Sequence, residues 1–228
     1  NLGLLYEERA DYELAVQAYA QAIERHAEAG QQATLWDRLG GVYRLTSQPE
    51  RALEAYRQAA ALDPTYAAPW YSMANILAGL GRDDEAIDAF RRAIALNPGD
   101  AWPYHHLALL LERRQAFDQA ISLYRQAIQN HRIEADRAIS LDSLGNLYQD
   151  LARYPEAVQA FRQAVQANPQ FALPWNSLGD IHSLLGEYNQ AVEAYQQAIA
   201  LDPDYAWPYN NLGLVYEQLR EYEQAIET

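Results

Sequence analysis

The stretch ALDPTYAAPWYSMANILAGLGRDDEAIDAFRRAIALNP, residues 61–98, returns with the same layout as QANPQFALPWNSLGDIHSLLGEYNQAVEAYQQAIALDP, residues 166–203. Each copy contains a Leu-Gly pair or a small variant of it. This pair marks seven repeats, the first and last incomplete: Leu2-Gly3, Leu39-Gly40, Met73-Ala74, Leu107-Ala108, Leu144-Gly145, Leu178-Gly179 and Leu212-Gly213. The intervals are 37, 34, 34, 37, 34 and 34 residues, so a block of three repeats recurs every 105 residues. Periods of this length predict an array of stacked structural repeats.

Each repeat has the pattern of two amphipathic helices. Trp36, Leu39, Gly40 and Tyr43 follow the i, i+3, i+4, i+7 spacing of one helical stripe. A second stripe, in the repeat's second helix, consists of small residues around an aromatic one, as in Ala52-Tyr56-Ala59. An Asp-Pro or Asn-Pro pair then ends most second helices, because proline disfavours helix in the residue before it.

These motifs resemble the tetratricopeptide repeat. The resemblance covers residues 1–228 as a single array and implies an all-α, right-handed α-solenoid of stacked antiparallel helix pairs. In that fold the first helices line a concave groove and the second helices form the convex side. The expected repeats span residues 1–32 (partial), 33–66, 67–100, 101–137, 138–171, 172–205 and 206–228 (partial).

The two 37-residue intervals place three additional residues within IERHAEAGQQAT, residues 23–34, and IQNHRIEADRAI, residues 128–139. Neither segment contains the proline that ends the other second helices. We therefore expect the second helix of the first and fourth repeats to continue by about one turn. His26 and His131 would then lie near the C-termini of these helices, where a cation complements the helix dipole.

Composition restricts the possible functions. The 228-residue chain contains no cysteine, which excludes disulfides and thiolate chemistry, and its net charge of −14 argues against binding to a phosphate backbone. No apolar run approaches the roughly 20 residues that span a bilayer, and no signal peptide pattern opens the chain. We expect a cytoplasmic protein with no membrane or nucleic-acid partner. No phosphate-loop, dinucleotide, metalloprotease or hydrolase motif is present, so neither an enzyme nor a metal or other cofactor is predicted.

The chain begins inside a first helix and ends inside a second one, without the polar caps that solenoids carry. This pattern is typical of a segment from a larger bacterial-type repeat protein. We expect weak head-to-tail self-association through the uncapped ends.

Candidate binding residues follow from numbering each repeat so that the leucine of Leu-Gly is position 7. Positions 4, 7, 8, 11 and 14 form the buried stripe of the first helix, at 100° per residue. Positions 2, 5, 6, 9, 12 and 13, hereafter the wall positions, point the opposite way, and the resemblance places them on the concave wall. The residues there that suit an extended polypeptide are Arg38, Arg44, Tyr71, Asn75, Trp102, His105, His106, Arg113, Asp142, Asn146, Gln149, Asn176, Asp180, Trp207, Asn210 and Asn211.

His105 and His106 are about 100° apart on their helix, which argues against a shared metal ion. As exposed groove residues they would titrate near their ordinary pKa of about 6.5. His182 occupies buried position 11 and is expected in the core.

Tryptophans fall into two groups. Trp36, Trp70 and Trp175 at position 4 are expected in the core. Trp102 and Trp207 at position 2 have two open interpretations, as anchors for a ligand or as packing against the preceding turn.

Two binding modes of the family do not match this chain. A carboxylate clamp requires lysine, which the sequence lacks, and an asparagine ladder requires asparagine at position 6 throughout. The remaining prediction is a non-catalytic scaffold that binds a peptide or partner protein in its groove. The alternative is the sensor or autoinhibitory arm of a larger signalling protein, such as a signalling NTPase.

Overall fold

The structure is a computed structural model that describes residues 2–25 and 28–227. Within these ranges the chain forms fourteen α-helices: α1 Leu2–Glu8, α2 Tyr12–Arg25, α3 Ala29–Leu45, α4 Pro49–Leu62, α5 Ala67–Gly79, α6 Asp83–Leu96, α7 Ala101–Arg113, α8 Phe117–Asn130, α9 Glu134–Asp150, α10 Tyr154–Ala167, α11 Ala172–Leu184, α12 Tyr188–Leu201, α13 Ala206–Leu219 and α14 Tyr222–Glu227. Odd-numbered helices are the first helices of the repeats and even-numbered ones the second.

The chain divides into an N-terminal body, Asn1–Leu110, and a C-terminal body, Leu111–Thr228, with the division inside α7. In each body, helices pack against their neighbours in sequence. The connections are short, which makes consecutive helices antiparallel. None of the described helices is long and apolar enough to cross a bilayer.

Each first helix ends in a tight turn with one residue in the left-handed region. Between α5 and α6 this residue is Gly81, with a φ of 74°. The Arg82 amide donates to the Leu77 carbonyl at 2.9 Å and the Gly81 amide to Ala78 at 3.2 Å, the bonding pattern of a Schellman motif. Glycine adopts this φ without a steric penalty. The same turn position is also left-handed where it is not glycine: Ala10, Ser47, Gln115, Ala152 and Arg220.

The two helices of a repeat approach closely where position 8 faces the aromatic residue of the second helix. A Cβ atom on Gly145 would lie 2.6 Å from Phe161 Cε1, and one on Gly179 would lie 2.5 Å from Tyr195 Cε1. Phe161 and Tyr195 are both almost fully buried. Glycine at this position therefore lets the aromatic ring contact the helix backbone.

The expected extension is wrong for α8, and residues 26 and 27, into which α2 would continue, lie outside the described residues. Helices α2 and α8 have 14 residues like the other complete second helices, whereas α3 and α9 have 17 residues against 13 in α5, α7 and α11. The added residues lengthen the following first helix at its N-terminus. The cause is proline: α5 starts two residues before Pro69, whose ring clashes with a preceding helical turn, while α3 and α9 have no proline there.

His131 is the C-cap residue of α8, and its Nε2 lies 2.8 Å from Ser140 Oγ. His26 lies outside the described residues. Trp36, Trp70 and Trp175 are only partly buried, so the expectation of full core positions is wrong for them. His182 is buried as expected, and its Nδ1 lies 2.6 Å from Glu187 Oε2.

Candidate functional site

In the N-terminal body the wall positions carry arginine and a tyrosine-bound carboxylate. Arg38 and Arg44 are exposed. The hydroxyl of Tyr66, the residue just before α5, donates to Asp37 Oδ2 at 3.0 Å. Burial raises the pKa of the Asp37 carboxyl, while the Tyr66 hydrogen bond and the Arg38 charge oppose the rise. A residue that precedes one first helix therefore donates a hydrogen bond to the side chain at position 5 of the preceding first helix.

The expectation that both histidines are exposed is wrong. His105 is 4% exposed, with the Trp102 ring edge-on at 5.5 Å between centroids. His106 is partly buried, and its Nδ1 lies 2.9 Å from the Trp102 carbonyl oxygen, so Nδ1–H donates to it, one helical turn back. Burial lowers the pKa of His106, and this favours the neutral ring. The predicted titration near 6.5 therefore does not apply to His106.

Tyr71 packs in the same cluster. Its ring lies edge-on to His106 at 5.6 Å, and its hydroxyl is 3.3 Å from His106 Nδ1. Asn75 donates its Nδ2–H to the Tyr71 carbonyl at 3.1 Å. These predicted ligand contacts are thus part of an aromatic and polar network inside the N-terminal body. For Trp102, the structure favours internal packing over a free anchor.

In the C-terminal body Asp180 accepts three hydrogen bonds. Tyr195 Oη donates to Oδ1 at 2.7 Å, Asn211 Nδ2 donates to Oδ1 at 2.9 Å, and Asn176 Nδ2 donates to Oδ2 at 3.1 Å. Burial raises the pKa of the Asp180 carboxyl and the three donors counteract it. Asp180 therefore links α11 to α12 and α13, with three of the about four acceptor sites of its carboxylate occupied.

Asp142 is less well satisfied. It is 8% exposed, Asn146 Nδ2 donates to its Oδ2 at 3.1 Å, and its Oδ1 is buried without a hydrogen-bond partner. Burial raises its pKa to about 6. Asp142 occupies the same repeat position as Asp37, 105 residues on, and the position of Tyr66 is taken there by Phe171. The missing hydroxyl explains the unpartnered oxygen.

Two more buried oxygens of this body lack donors, Gln149 Oε1 on α9 and Asn176 Oδ1 on α11. An unsatisfied buried oxygen costs about 1–3 kcal/mol. We name the set of Asp142, Asn146, Gln149, Asn176, Asp180 and Asn211 the amide–carboxylate cluster.

Position 5 lies nearer the seam between repeats than the open wall. His105, Asp142 and Asn176 are all buried there, although an exposed wall was predicted. Where the contact is seen directly, in the N-terminal body, Tyr66 reaches back over Asp37. The periodicity of one helix could not show this, because the covering residue belongs to the next repeat.

Positions 2, 9 and 13 remain open. In the C-terminal body, Trp207 on α13 is 66% exposed at position 2. Ile139 on α9 and Leu173 on α11 occupy the same position and are also exposed. Asn146 at position 9 and Arg113 at position 13 are exposed, and in the last repeat Asn210 at position 5 is exposed as well. The sequence interpretation omitted Ile139 and Leu173, although their shared position with Trp207 would have identified them. In the C-terminal body, an apolar row therefore accompanies the amide–carboxylate cluster.

No group of three or more histidine, aspartate or glutamate side chains in residues 2–25 and 28–227 is arranged to hold a metal ion. The wall positions of α9, α11 and α13 carry four carboxylates: Asp142, Asp150, Asp180 and Glu217. None of these positions carries an arginine. This surface is complementary to hydrogen-bond donors and positive charge.

The folded chain is an α-helical repeat protein with polar and apolar contact surfaces on its first helices. Models of the TPR repeat match residues 40–81 and 179–220, and models of the tetratricopeptide repeat match residues 1–29, 67–100 and 99–170. The chain belongs to the tetratricopeptide repeat family, and its fold is the α-solenoid of that family. Proteins with this fold generally serve as non-catalytic scaffolds for protein–protein interaction.

Solved structures agree on the fold. PilF of Pseudomonas aeruginosa matches with a TM-score of 0.71 at 21% identity, over 96% of this chain and 94% of that one. The C-terminal part of a TPR repeat-containing protein from Cytophaga hutchinsonii gives 0.76 at 15% identity, over 97% and 86%. YrrB, described as a TPR protein with an unusual peptide-binding site, gives 0.65 at 20% identity, over 85% and 96%. No curated protein matches in sequence.

Proposed function

We propose that this protein is a scaffold that binds an extended, positively charged peptide segment on the first helices of its C-terminal body. The observation that carries the proposal is that four carboxylates and no cation occupy the wall positions of α9, α11 and α13. Peptide N–H groups and arginine or lysine side chains are donors that complement such a surface.

The apolar row supports an extended ligand. Ile139, Leu173 and Trp207 occupy one repeat position on three successive first helices, and all are exposed. An exposed tryptophan beside buried polar groups is a common anchor in interfaces. The ligand would place apolar side chains on this row and donors on the amide–carboxylate cluster.

The YrrB comparison is compatible with peptide binding in this fold, and it says nothing about the ligand of this chain. The alternative of a sensor arm in a signalling protein has no support in the fold or in the comparisons. Arg38 and Arg44 in the N-terminal body remain predicted contacts for acidic side chains of the same or another partner.

A peptide-library pull-down tests the proposal with the wild type and the double variant Asn146→Ala/Asn176→Ala. We expect enrichment of basic peptides on the wild type and their loss from the variant. The matched control is Asn189→Ala/Gln197→Ala, two exposed polar residues of the second helix α12. Equal recovery of peptides by all three proteins would contradict the assigned surface.

For a peptide that is recovered, Trp207→Ala should weaken binding by about 1–2 kcal/mol, roughly 5- to 30-fold. Its thermal unfolding should hardly change, because the side chain is 66% exposed. Tyr222→Ala on α14, with 59% exposure, is the control. Raising the salt concentration should weaken binding further, since the contact is partly ionic. Salt-independent binding that survives Trp207→Ala would refute the proposed geometry.

A further inference from the structure

A cavity of about 640 Å³ opens between α4, α5 and α6 of the N-terminal body. Helix α5 contributes Trp70, Met73 and Leu77, which occupy positions 4, 7 and 11. These positions lie on the opposite side of the helix from the wall positions. The cavity is therefore separate from the proposed peptide surface, and a ligand in it would not compete for that surface.

Its interior is mostly apolar and its rim is charged. Leu53, Ala60 and Ala89 line it together with the α5 residues. The volume falls in the range of pockets for small molecules, about 300–1,000 Å³. A single side chain of a partner protein would occupy only a part of this space.

Four charged residues line the rim, and two of them pair with neighbours on their own helix, Arg57 with Glu54 at 3.9 Å and Asp88 with Arg91 at 3.8 Å. Glu85 is bound by Arg82 through two hydrogen bonds of 2.7 and 2.6 Å, which neutralises it from outside the cavity. Arg92 forms no ion pair with any described residue, and its guanidinium lies 6.0 Å from the centroid of the Trp70 ring. The Trp70 Nε1–H is also buried without an acceptor. The cavity thus combines an apolar interior with a free cation.

The repeat 105 residues later carries a second copy of this cavity with a different character. The tryptophan is kept as Trp175, but Val165 replaces Ala60, His182 replaces Leu77 and Gln197 replaces Arg92. The second cavity has a volume of about 220 Å³. Larger side chains reduce its space, and the arginine that lines it is Arg162, at the position of Arg57, with glutamine in place of Arg92. Its tryptophan is retained, so the packing of the repeats requires neither the large volume nor an arginine at the position of Arg92.

We propose that the cavity between α4, α5 and α6 binds a small amphiphilic carboxylate. The apolar body fills the space above Trp70 and Met73, and the carboxylate pairs with the Arg92 guanidinium. A neutral apolar molecule would leave Arg92 without a partner, and a cationic one would be repelled by it. Because Arg92 is exposed, solvent screens its pair with a carboxylate, which should contribute roughly two- to fivefold in affinity.

Isothermal titration with decanoate, 1-decanol and decylamine tests the inference, since the three probes share one chain and differ in the head group. Each is used below its micelle concentration. We expect decanoate to bind about two- to fivefold more tightly than decanol, with decylamine weakest. Binding that does not depend on the head group would overturn the proposal.

Two variants introduce the residues that the repeat 105 residues later carries at the same positions, Gln197 and Val165. The fold should therefore accept them. Arg92→Gln should reduce the affinity for decanoate to that for decanol. Ala60→Val should weaken all three probes, because it occupies the space that the chain needs. Val165→Ala in the C-terminal body is the control and should leave the high-affinity site unchanged. If decanoate binds Arg92→Gln or Ala60→Val as tightly as it binds the wild type, this cavity is not its site.

Discussion

The substitution Phe171→Tyr should stabilise the protein at neutral pH by supplying the hydroxyl that Asp142 lacks. Burial raises the pKa of Asp142 from 3.8 to about 6. Since one pKa unit corresponds to 1.36 kcal/mol, ionising this group in the folded protein costs about 3 kcal/mol more than in the unfolded chain. A hydrogen bond from tyrosine to the carboxylate contributes about 1.5–3 kcal/mol. The expected gain in unfolding free energy at pH 7 is therefore about 1–3 kcal/mol.

The sign of the pH dependence follows from the raised pKa. The folded protein holds the Asp142 proton more tightly than the unfolded chain does. The stability that this proton provides is complete below about pH 4 and is lost as the pH rises through about 6. Phe171→Tyr should lower the folded pKa and thereby flatten this loss. Its gain should be large at pH 7 and small at pH 4, where the carboxyl is mostly protonated.

Chemical denaturation at pH 4, 5, 6 and 7 measures the effect, with the Asp142 pKa followed by carboxyl NMR. Asp142→Asn should remove the pH dependence between about 4 and 6 that this residue causes, and Phe171→Tyr should then bring no charge-dependent gain. The reciprocal variant Tyr66→Phe removes the existing donor to Asp37 and should destabilise the protein at pH 7. A gain from Phe171→Tyr that is equal at pH 4 and pH 7, or equal in the Asp142→Asn background, would refute the reasoning.

Two further predictions concern packing and the Asp180 network. Gly145→Ala should lower the unfolding free energy by about 1–3 kcal/mol, because the added Cβ would overlap the Phe161 ring; denaturation should show no loss for the control Gly79→Ala, whose Cβ meets nothing within 4 Å. Tyr195→Phe removes one of three donors from Asp180, so carboxyl NMR should show a higher Asp180 pKa and denaturation a loss of about 1 kcal/mol at pH 7; an unchanged pKa would contradict the assigned hydrogen bond.

The sequence was sufficient for the helix pairs and the buried stripe of the first helices because both depend on residues within one repeat. Leu39, Leu144 and Leu178 are buried at position 7, and Gly40 faces the ring of Tyr56 at position 8. The helical spacing defines these contacts directly. The stacking of the helix pairs into a solenoid was predicted from the resemblance to the tetratricopeptide repeat. The family matches confirm that resemblance.

The sequence-based predictions were wrong where a contact joins two neighbouring repeats, and they missed features that depend on the volume of the side chains. His105 and Asp142 have the helical phase of wall residues, yet they are buried. The longer first helices α3 and α9 reflect an absent proline at their start, whereas the prediction considered only the absent proline at the end of the second helices. The cavity near Trp70 is the space that small side chains such as Ala60 leave unfilled. A sequence motif does not show such a space.

The two copies of the 105-residue block allow scaffold and function to be separated within one chain. Contacts in a repeat array extend mainly to the nearest neighbours, so a change in one repeat has little effect on distant ones. Residues that both copies need for packing, such as Trp70 and Trp175, are the same. Where the copies differ, at Tyr66 against Phe171 and at Arg92 against Gln197, the difference leaves an unsatisfied oxygen in one block and a free cation in the other. Packing does not account for either feature, because the other copy folds without it. Both are therefore the positions where exchange of single residues between the blocks should alter ligand binding while the fold is kept.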